Sequence, residues 1–149
     1  MKIILGADHG GFETKEKIKE YLLANNFEVV DAGNLVYDAK DDYPDFAIAV
    51  AKRISANEAE KGIIVCGSGV GACIAANKVK NVRACVCHDV YSAHQGVEHD
   101  DMNVLCLGGR IIGIETAKEI VHAFANAKFS NEDRHKRRLE KVLALENKD

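Results

Sequence analysis

The chain has 149 residues, of which 47% are hydrophobic and 29% charged, with a net charge of −3. That length suits one domain spanning residues 1–149, and the mild acidity argues against a broad electrostatic grip on nucleic acid. No apolar run nears the roughly 18 residues of a membrane span, and MKIILGADHGG lacks a signal-peptide pattern, so the expected protein works without a membrane, in the cytoplasm.

In chain order, Lys2 to Ala7 reads as a short buried strand, with Asp8-His9-Gly10-Gly11 as the loop at its carboxyl end. From Phe12 the apolar residues fall at helical spacing, with Ile18, Tyr21 and Leu22 on one face and Asn25-Asn26 as the stop. Phe27 to Asp31 is a second strand that leaves through Ala32-Gly33-Asn34, and residues 35–42 read as a polar loop. Pro44 sits where a first helical turn tolerates it, and Phe46, Ala47, Val50, Ala51 and Ile54 form the next apolar face. A third strand ends in Ile63-Ile64-Val65-Cys66, breaks into Gly67-Ser68-Gly69-Val70-Gly71, and passes at once into a short helix over Ala72 to Asn77. Val82 to Cys87 and Asn103 to Leu107 are the fourth and fifth strands, with a helix over Asp89 to His99 between them. Ala117, Ile120, Val121 and Phe124 mark another helix, and the tail from Asn131 to Lys148 is helical again, striped by Leu139, Val142 and Leu143.

Near-continuous apolar strands alternating with helices predict an α/β fold of three layers. A five-stranded parallel sheet lies between helices in a Rossmann-like arrangement, with an extra C-terminal helix. That last helix has no strand to return to, so a partner subunit is its expected dock. Ligands of such sheets bind beyond the carboxyl ends of the strands. The places to search are therefore Asp8-His9, Asn34, Cys66 to Gly71, His88-Asp89 and Gly109-Arg110.

The strand, glycine turn and helix start aim backbone N–H groups at one small volume, with the Cys66 thiol and the Ser68 hydroxyl at its rim. Glycines also serve merely to permit a tight turn. An anion or oxyanion pocket is the better functional reading, because the loop lacks the spacing of a dinucleotide fingerprint and contains no G-x-x-x-x-G-K-[ST]. A free cysteine is often a small buried hydrophobe, and that reading is taken for Cys73, Cys85, Cys87 and Cys106. Five cysteines, an odd number, lie mostly in apolar runs and suit reduced thiols better than a disulfide framework. Cys66 differs in its place at a strand end, facing donors that enrich a thiolate. Cys85-x-Cys87 has no second Cys or His pair at a supporting spacing, and no H-E-x-x-H is present, so no metal is expected. His9 beside Asp8, and His99 beside Asp100-Asp101, are either solvated loop groups or movers of a proton at a sugar oxygen. Arg134 and Arg138 lie side by side, four apart on a helix. They form either a basic face or a forked grip for a phosphate.

Taken together, Gly6-Ala7-Asp8-His9-Gly10-Gly11-Phe12, Asp42-Tyr43-Pro44, Cys66 to Gly71, Ile74-Ala75-Ala76-Asn77-Lys78, Glu98 to Asp101, Gly108-Gly109-Arg110 and Arg134-His135 resemble the type B ribose-5-phosphate isomerases and their relatives acting on other phosphorylated sugars. The resemblance covers nearly the whole chain. It implies an aldose–ketose isomerase that interconverts ribose 5-phosphate and ribulose 5-phosphate, as in the non-oxidative pentose phosphate pathway. Cys66 would be the general base at C2, the backbone of Gly67, Ser68, Gly69, Val70 and Gly71 would hold the enediolate, and Ser68 would pass a proton between the oxygens. His99 would assist ring opening, Asp8, His9 and Asp100 would line the sugar, and Arg110, Arg134 and Arg138 would take the phosphate. No cofactor is implied, and the family forms homodimers or homotetramers with active sites at a subunit interface.

Three positions depart from the family pattern. Asp100 replaces the usual asparagine, which removes a donor beside His99. Asn131-Glu132-Asp133 replaces a shorter glycine pair, which changes the reach of Arg134. Ala72 stands where some relatives carry a glutamate base, which leaves Cys66 as the candidate. Other readings are the same chemistry on a six-carbon substrate such as allose 6-phosphate, a nucleotide-binding module at the glycine loop, and a thiol hydrolase built on Cys66 and His99.

Overall fold

The fold is that of a computed structural model, which describes residues 1–147. Lys148, the end of the expected tail helix, lies outside the described residues. Strands β1 (Lys2–Ala7), β2 (Glu28–Asp31), β3 (Lys61–Cys66), β4 (Ala84–Val86) and β5 (Val104–Gly108) form one sheet in the order β2-β1-β3-β5-β4. Every pairing is parallel. The helices are α1 (Phe12–Ala24), α2 (Tyr43–Ser55), α3 (Val70–Ala76), α4 (Val90–Asp100), α5 (Ile114–Asn126) and α6 (Asp133–Leu143), and α6 runs into a 3₁₀ turn over Ala144–Asn147. The expected three-layer architecture is the one observed.

Period-two alternation sorts the strand side chains onto two faces. Ile3, Leu5, Ile63, Val65, Leu105 and Leu107 point to the face covered by α1, α4 and α5. Ile4, Ile64, Cys66, Val104 and Cys106 point to the face covered by α2 and α3. Each fully buried Leu or Ile of this kind is worth about 1.5–3 kcal/mol. Right-handed crossovers then require leftward steps along the sheet to use one face and rightward steps the other. The two helix sets follow that rule.

Three local expectations need correction. The fourth strand spans three residues and not the expected run from Val82 to Cys87. Side chains replace its ladder at the start, because the Arg83 amide donates to Asn103 Oδ1 at 2.8 Å and the Ala84 amide to Asn77 Oδ1 at 2.8 Å. Cys85 is exposed and Cys73 half-buried, because both belong to the edge of the sheet around β4. On α6, Val142 is exposed, Leu139 and Leu143 are half-buried and only His135 is buried among the described residues, so this chain covers the apolar stripe of its last helix only in part.

Two buried lysines brace the frame. Lys15 Nζ bonds both carboxylate oxygens of Asp31 at 2.9 Å and the Asn34 carbonyl at 2.5 Å. This ties α1 to the exit of β2. Lys61 Nζ donates to the carbonyls of Phe124, Ala125 and Ala127 and so caps the end of α5. Burial pulls its pKa down to about 8.

Candidate active site

After β1 the chain steps first to β2 on one side and later to β3 on the other. A crevice therefore opens between the carboxyl ends of β1 and β3. The two loops leaving those ends touch through backbone. A Cβ on Gly10 would lie 2.9 Å from the Gly67 nitrogen, so only glycine lets the Asp8-His9 loop sit against the Cys66 loop. Gly69 is in the left-handed region at φ +83°, which turns the chain from β3 into α3.

That turn places the Gly69 N–H 3.1 Å from Cys66 Sγ, to which it donates. Cys66 is 5% exposed and forms the floor of the crevice, not its rim as the sequence suggested. The cause is strand parity, which sends its side chain toward α2 and α3. Ser68 is the exposed rim group, and its Oγ accepts from the Val70 N–H at 3.3 Å. Two loop amides are thus engaged locally. Among the described residues no protein acceptor takes those of Gly67, Ser68 or Gly71. Arg110 lies over the loop, with its guanidinium against Gly67 and its own N–H donating to the Gly67 carbonyl at 3.1 Å. The Tyr43 ring closes the other side so tightly that a Cβ on Gly71 would lie 2.6 Å from it.

Asp8 is buried at the crevice wall, and its Oδ1 accepts from the Gly11 N–H at 3.2 Å. His9 is gripped twice by Asp41. Oδ1 of Asp41 accepts from the His9 backbone N–H at 2.9 Å and lies 2.7 Å from its ring Nδ1. The other carboxylate oxygen accepts from Asn34 Nδ2 at 3.3 Å. The hydrogen bond to Asp41 raises the His9 pKa above 6.5. Desolvation and Arg110 oppose that shift, and Asp8 adds to it. Burial pushes Asp41 up, but the bonds from His9 and Asn34 outweigh it and leave the carboxyl below its ordinary value. Asp8, His9 and Asp41 are the grouping of metal-ligand types found among the described residues. Nδ1 of His9 and Oδ1 of Asp41 are spent on each other, which makes the arrangement a histidine–carboxylate dyad. Asp41 was missed as part of the polar loop over 35–42. The available signal was its place beside Asp42-Tyr43-Pro44, at the entry to α2.

The remaining expected site residues form a second group. His88 Nε2 accepts from the Gly108 N–H at 2.9 Å, which fixes the start of α4 at the carboxyl edge of the sheet. From there α4 runs back toward the opposite edge, where Asp101 to Asn103 lead into β5. From Val90 to His99 that is about 14 Å at a rise of about 1.5 Å per residue. His99 and Asp100 are therefore at the far edge of their own chain from Cys66. There the His99 ring stacks on His135 of α6, with centroids 4.0 Å apart and planes at 26°. Gln95 Nε2 donates to His99 Nδ1 at 2.9 Å, and Ser130 Oγ lies 2.6 Å from His135 Nδ1. Burial lowers the His135 pKa, and the neighbouring His99 and Arg134 lower it further. Arg134 and Arg138 share this end on α6, and Arg134 pairs with Glu132. Within one chain the expected site residues thus fall into two separate groups. The first holds Asp8, His9, Cys66, Ser68, the glycine loop and Arg110, and the second holds His99, Asp100, Arg134 and Arg138. A broad groove of about 910 Å³ also opens at the far edge, lined by Lys61, Arg83 and Asn103, and contains none of the glycine loop.

Comparison with known proteins identifies the family. The family model described as Ribose/Galactose Isomerase matches residues 3–142. Ribose-5-phosphate isomerase B of Escherichia coli K12 is 42% identical over 145 residues, 97% of this chain and 96% of that protein. A crystal structure of ribose-5-phosphate isomerase B from Mycoplasma genitalium with bound ribulose-5-phosphate superposes at a TM-score of 0.94, with 41% identity over 99% of this chain and 97% of that one. D-erythrulose-4-phosphate isomerase 2 of Mycolicibacterium smegmatis is 35% identical over 98% of this chain and 97% of that protein. With the match running from the first strand to the last helix, the chain belongs to the ribose/galactose isomerase family.

Proposed function

We propose that this chain is an aldose–ketose isomerase that interconverts ribose 5-phosphate and ribulose 5-phosphate through an enediolate, with Cys66 as the general base. The observation that carries the reading is the Gly69 N–H held on Cys66 Sγ at 3.1 Å, beside three loop amides that find no protein acceptor among the described residues. With the open-chain aldose in the crevice, the sulfur takes the C2 proton. The charge that develops on the adjacent oxygen meets the amides of Gly67, Ser68 and Gly71. A donor aimed in this way is worth about 2.7–4 kcal/mol in the transition state, and a placed general base about 10²–10⁴-fold. The exposed Ser68 hydroxyl relays a proton between O1 and O2, and the proton returned to C1 completes the ketose. Atoms balance within the substrate, so the step calls for no electron acceptor beyond the carbonyl.

Asp8 and His9 hold the sugar, and Arg110 takes the phosphate at this end. His99, Asp100, Arg134 and Arg138 act in the crevice of a second copy of the chain, where His99 assists ring opening and the arginines complete the phosphate grip. This arrangement is supported by the separation of the two groups within one chain and by the partly uncovered stripe of α6, where Val142 is exposed. The assembly is a homodimer, or a tetramer built from such dimers. Relatives named for a five-carbon and a four-carbon sugar phosphate show that the fold serves more than one length. Steady-state kinetics on ribose 5-phosphate, allose 6-phosphate and erythrulose 4-phosphate test the assignment. The highest kcat/KM is expected for ribose 5-phosphate, and turnover of another sugar alone overturns the substrate while sparing the chemistry.

A further inference from the structure

A carboxylate at the back of a working imidazole fixes which nitrogen carries the hydrogen and how the ring is turned. Asp41 meets that description on three counts. Its side chain is 6% exposed, against 30% for His9, so the carboxylate lies behind the ring and the ring faces the crevice. One oxygen holds both the backbone N–H and Nδ1 of the same residue, which fixes the loop and the ring together. The other oxygen is held by Asn34, whose own carbonyl is bonded by the buried Lys15, so the carboxylate is anchored through α1 and β2.

We propose that Asp41 is a positioning residue for His9, pinning Nδ1–H so that Nε2 is the ring atom presented to the sugar phosphate. The contact with substrate rests on the isomerase reading, whereas the dyad itself does not. With Asp41 ionised behind it, the imidazole stays a charged donor further into the neutral range, which suits an anionic substrate. The other charged groups facing the ring are Asp8, which supports the cation, and Arg110, which opposes it. Both are common to every variant below.

The test uses Asp41→Asn in the full-length protein. The amide keeps an oxygen for the His9 N–H and removes the charge. The His9 imidazole is titrated by NMR, with its signal assigned through His9→Gln, and kcat/KM for ribose 5-phosphate is followed across pH. The wild-type His9 midpoint is expected above 6.5 and the Asp41→Asn midpoint below the wild-type one. The kcat/KM of the variant is expected to fall about 10–100-fold at pH 8, taking as guide the range for carboxylates that orient metal-ligating histidines. The loss should sit in KM more than in kcat, and the ratio to wild type should recover as pH falls. A wild-type midpoint at or below 6.5, an unchanged midpoint in the variant, or the same fold-loss at every pH overturns the proposal. If wild type fails to turn over ribose 5-phosphate, the substrate assignment falls, and the NMR midpoints still decide the dyad.

Discussion

Replacing Gly69 by alanine perturbs the contact on which the proposed chemistry rests. At φ +83° an L-residue costs about 1–2 kcal/mol relative to glycine. The added Cβ would stand 3.0 Å from the Leu107 carbonyl carbon and 3.3 Å from the Gly108 nitrogen, both backbone atoms of a central strand that cannot swing aside. Overpacking of that kind costs about 1–3 kcal/mol. The combined penalty is about 2–5 kcal/mol. For a chain of this size that lowers the melting temperature by about 4–20 °C. The turn relieves the crowding by moving away from β5, which carries the Gly69 N–H off Cys66 Sγ. Calorimetric melting and ribose 5-phosphate kinetics on one preparation read both effects, and kcat is expected to fall by more than KM rises. A variant that melts within a degree of wild type with unchanged kcat refutes the reasoning, because neither the strain nor the amide–sulfur contact would then matter.

Further outcomes follow from the same geometry. Cys66→Ala and His99→Ala subunits, each nearly inactive alone, should recover about a quarter of wild-type activity after mixing and subunit exchange. Half the dimers are then mixed and one of their two sites is intact. No gain despite exchange contradicts a shared site. The pKa of the buried His135 is lowered, so the unfolded chain takes up the proton first as pH falls. Its contribution is therefore complete above about pH 6.5 and is lost as pH drops below that toward the folded value. Denaturant melts at pH 5 and 7.5 should show a smaller acid loss for His135→Phe than for wild type, and equal losses contradict this. Asp31→Asn removes the buried carboxylate that neutralises Lys15, leaving only the half-buried Glu16 and the Asn34 carbonyl, and should cost about 3–5 kcal/mol in urea unfolding. A change below about 1 kcal/mol would show that the Asn34 carbonyl and the Glu16 carboxylate suffice.

The frame and the first group of candidate site residues are legible in the sequence for local reasons. The apolar runs ending at Ala7 and Cys66, each followed by glycine, identify two strand ends whose loops must lie on one edge of a parallel sheet. Alternation along Ile63 to Cys66 also fixes the face of the thiol, although its depth depends on α2 and α3 arriving over it. The distance of His99 from Cys66 is not legible locally, because it is set by α4 running back along the sheet to the far edge of the same chain. Lys15 falls at helical spacing with Ile18 and Leu22, yet nothing local reveals that Asp31 will neutralise it there. Asp41 meets His9 from 32 residues away. A contact set by the path of a loop leaves no periodic trace in the chain.

The central claim is that a sulfur held among main-chain amides removes the C2 proton. The direct measurement is turnover of ribose 5-phosphate in D₂O with a chelator present, following deuterium entry at the transferred position, for wild type and Cys66→Ala. Wild type should turn over and incorporate deuterium in the presence of the chelator. Cys66→Ala should bind ribose 5-phosphate but lose at least about a hundredfold in kcat, with isotope entry falling in parallel. An alanine variant that exchanges and isomerises at near wild-type rate would contradict the account.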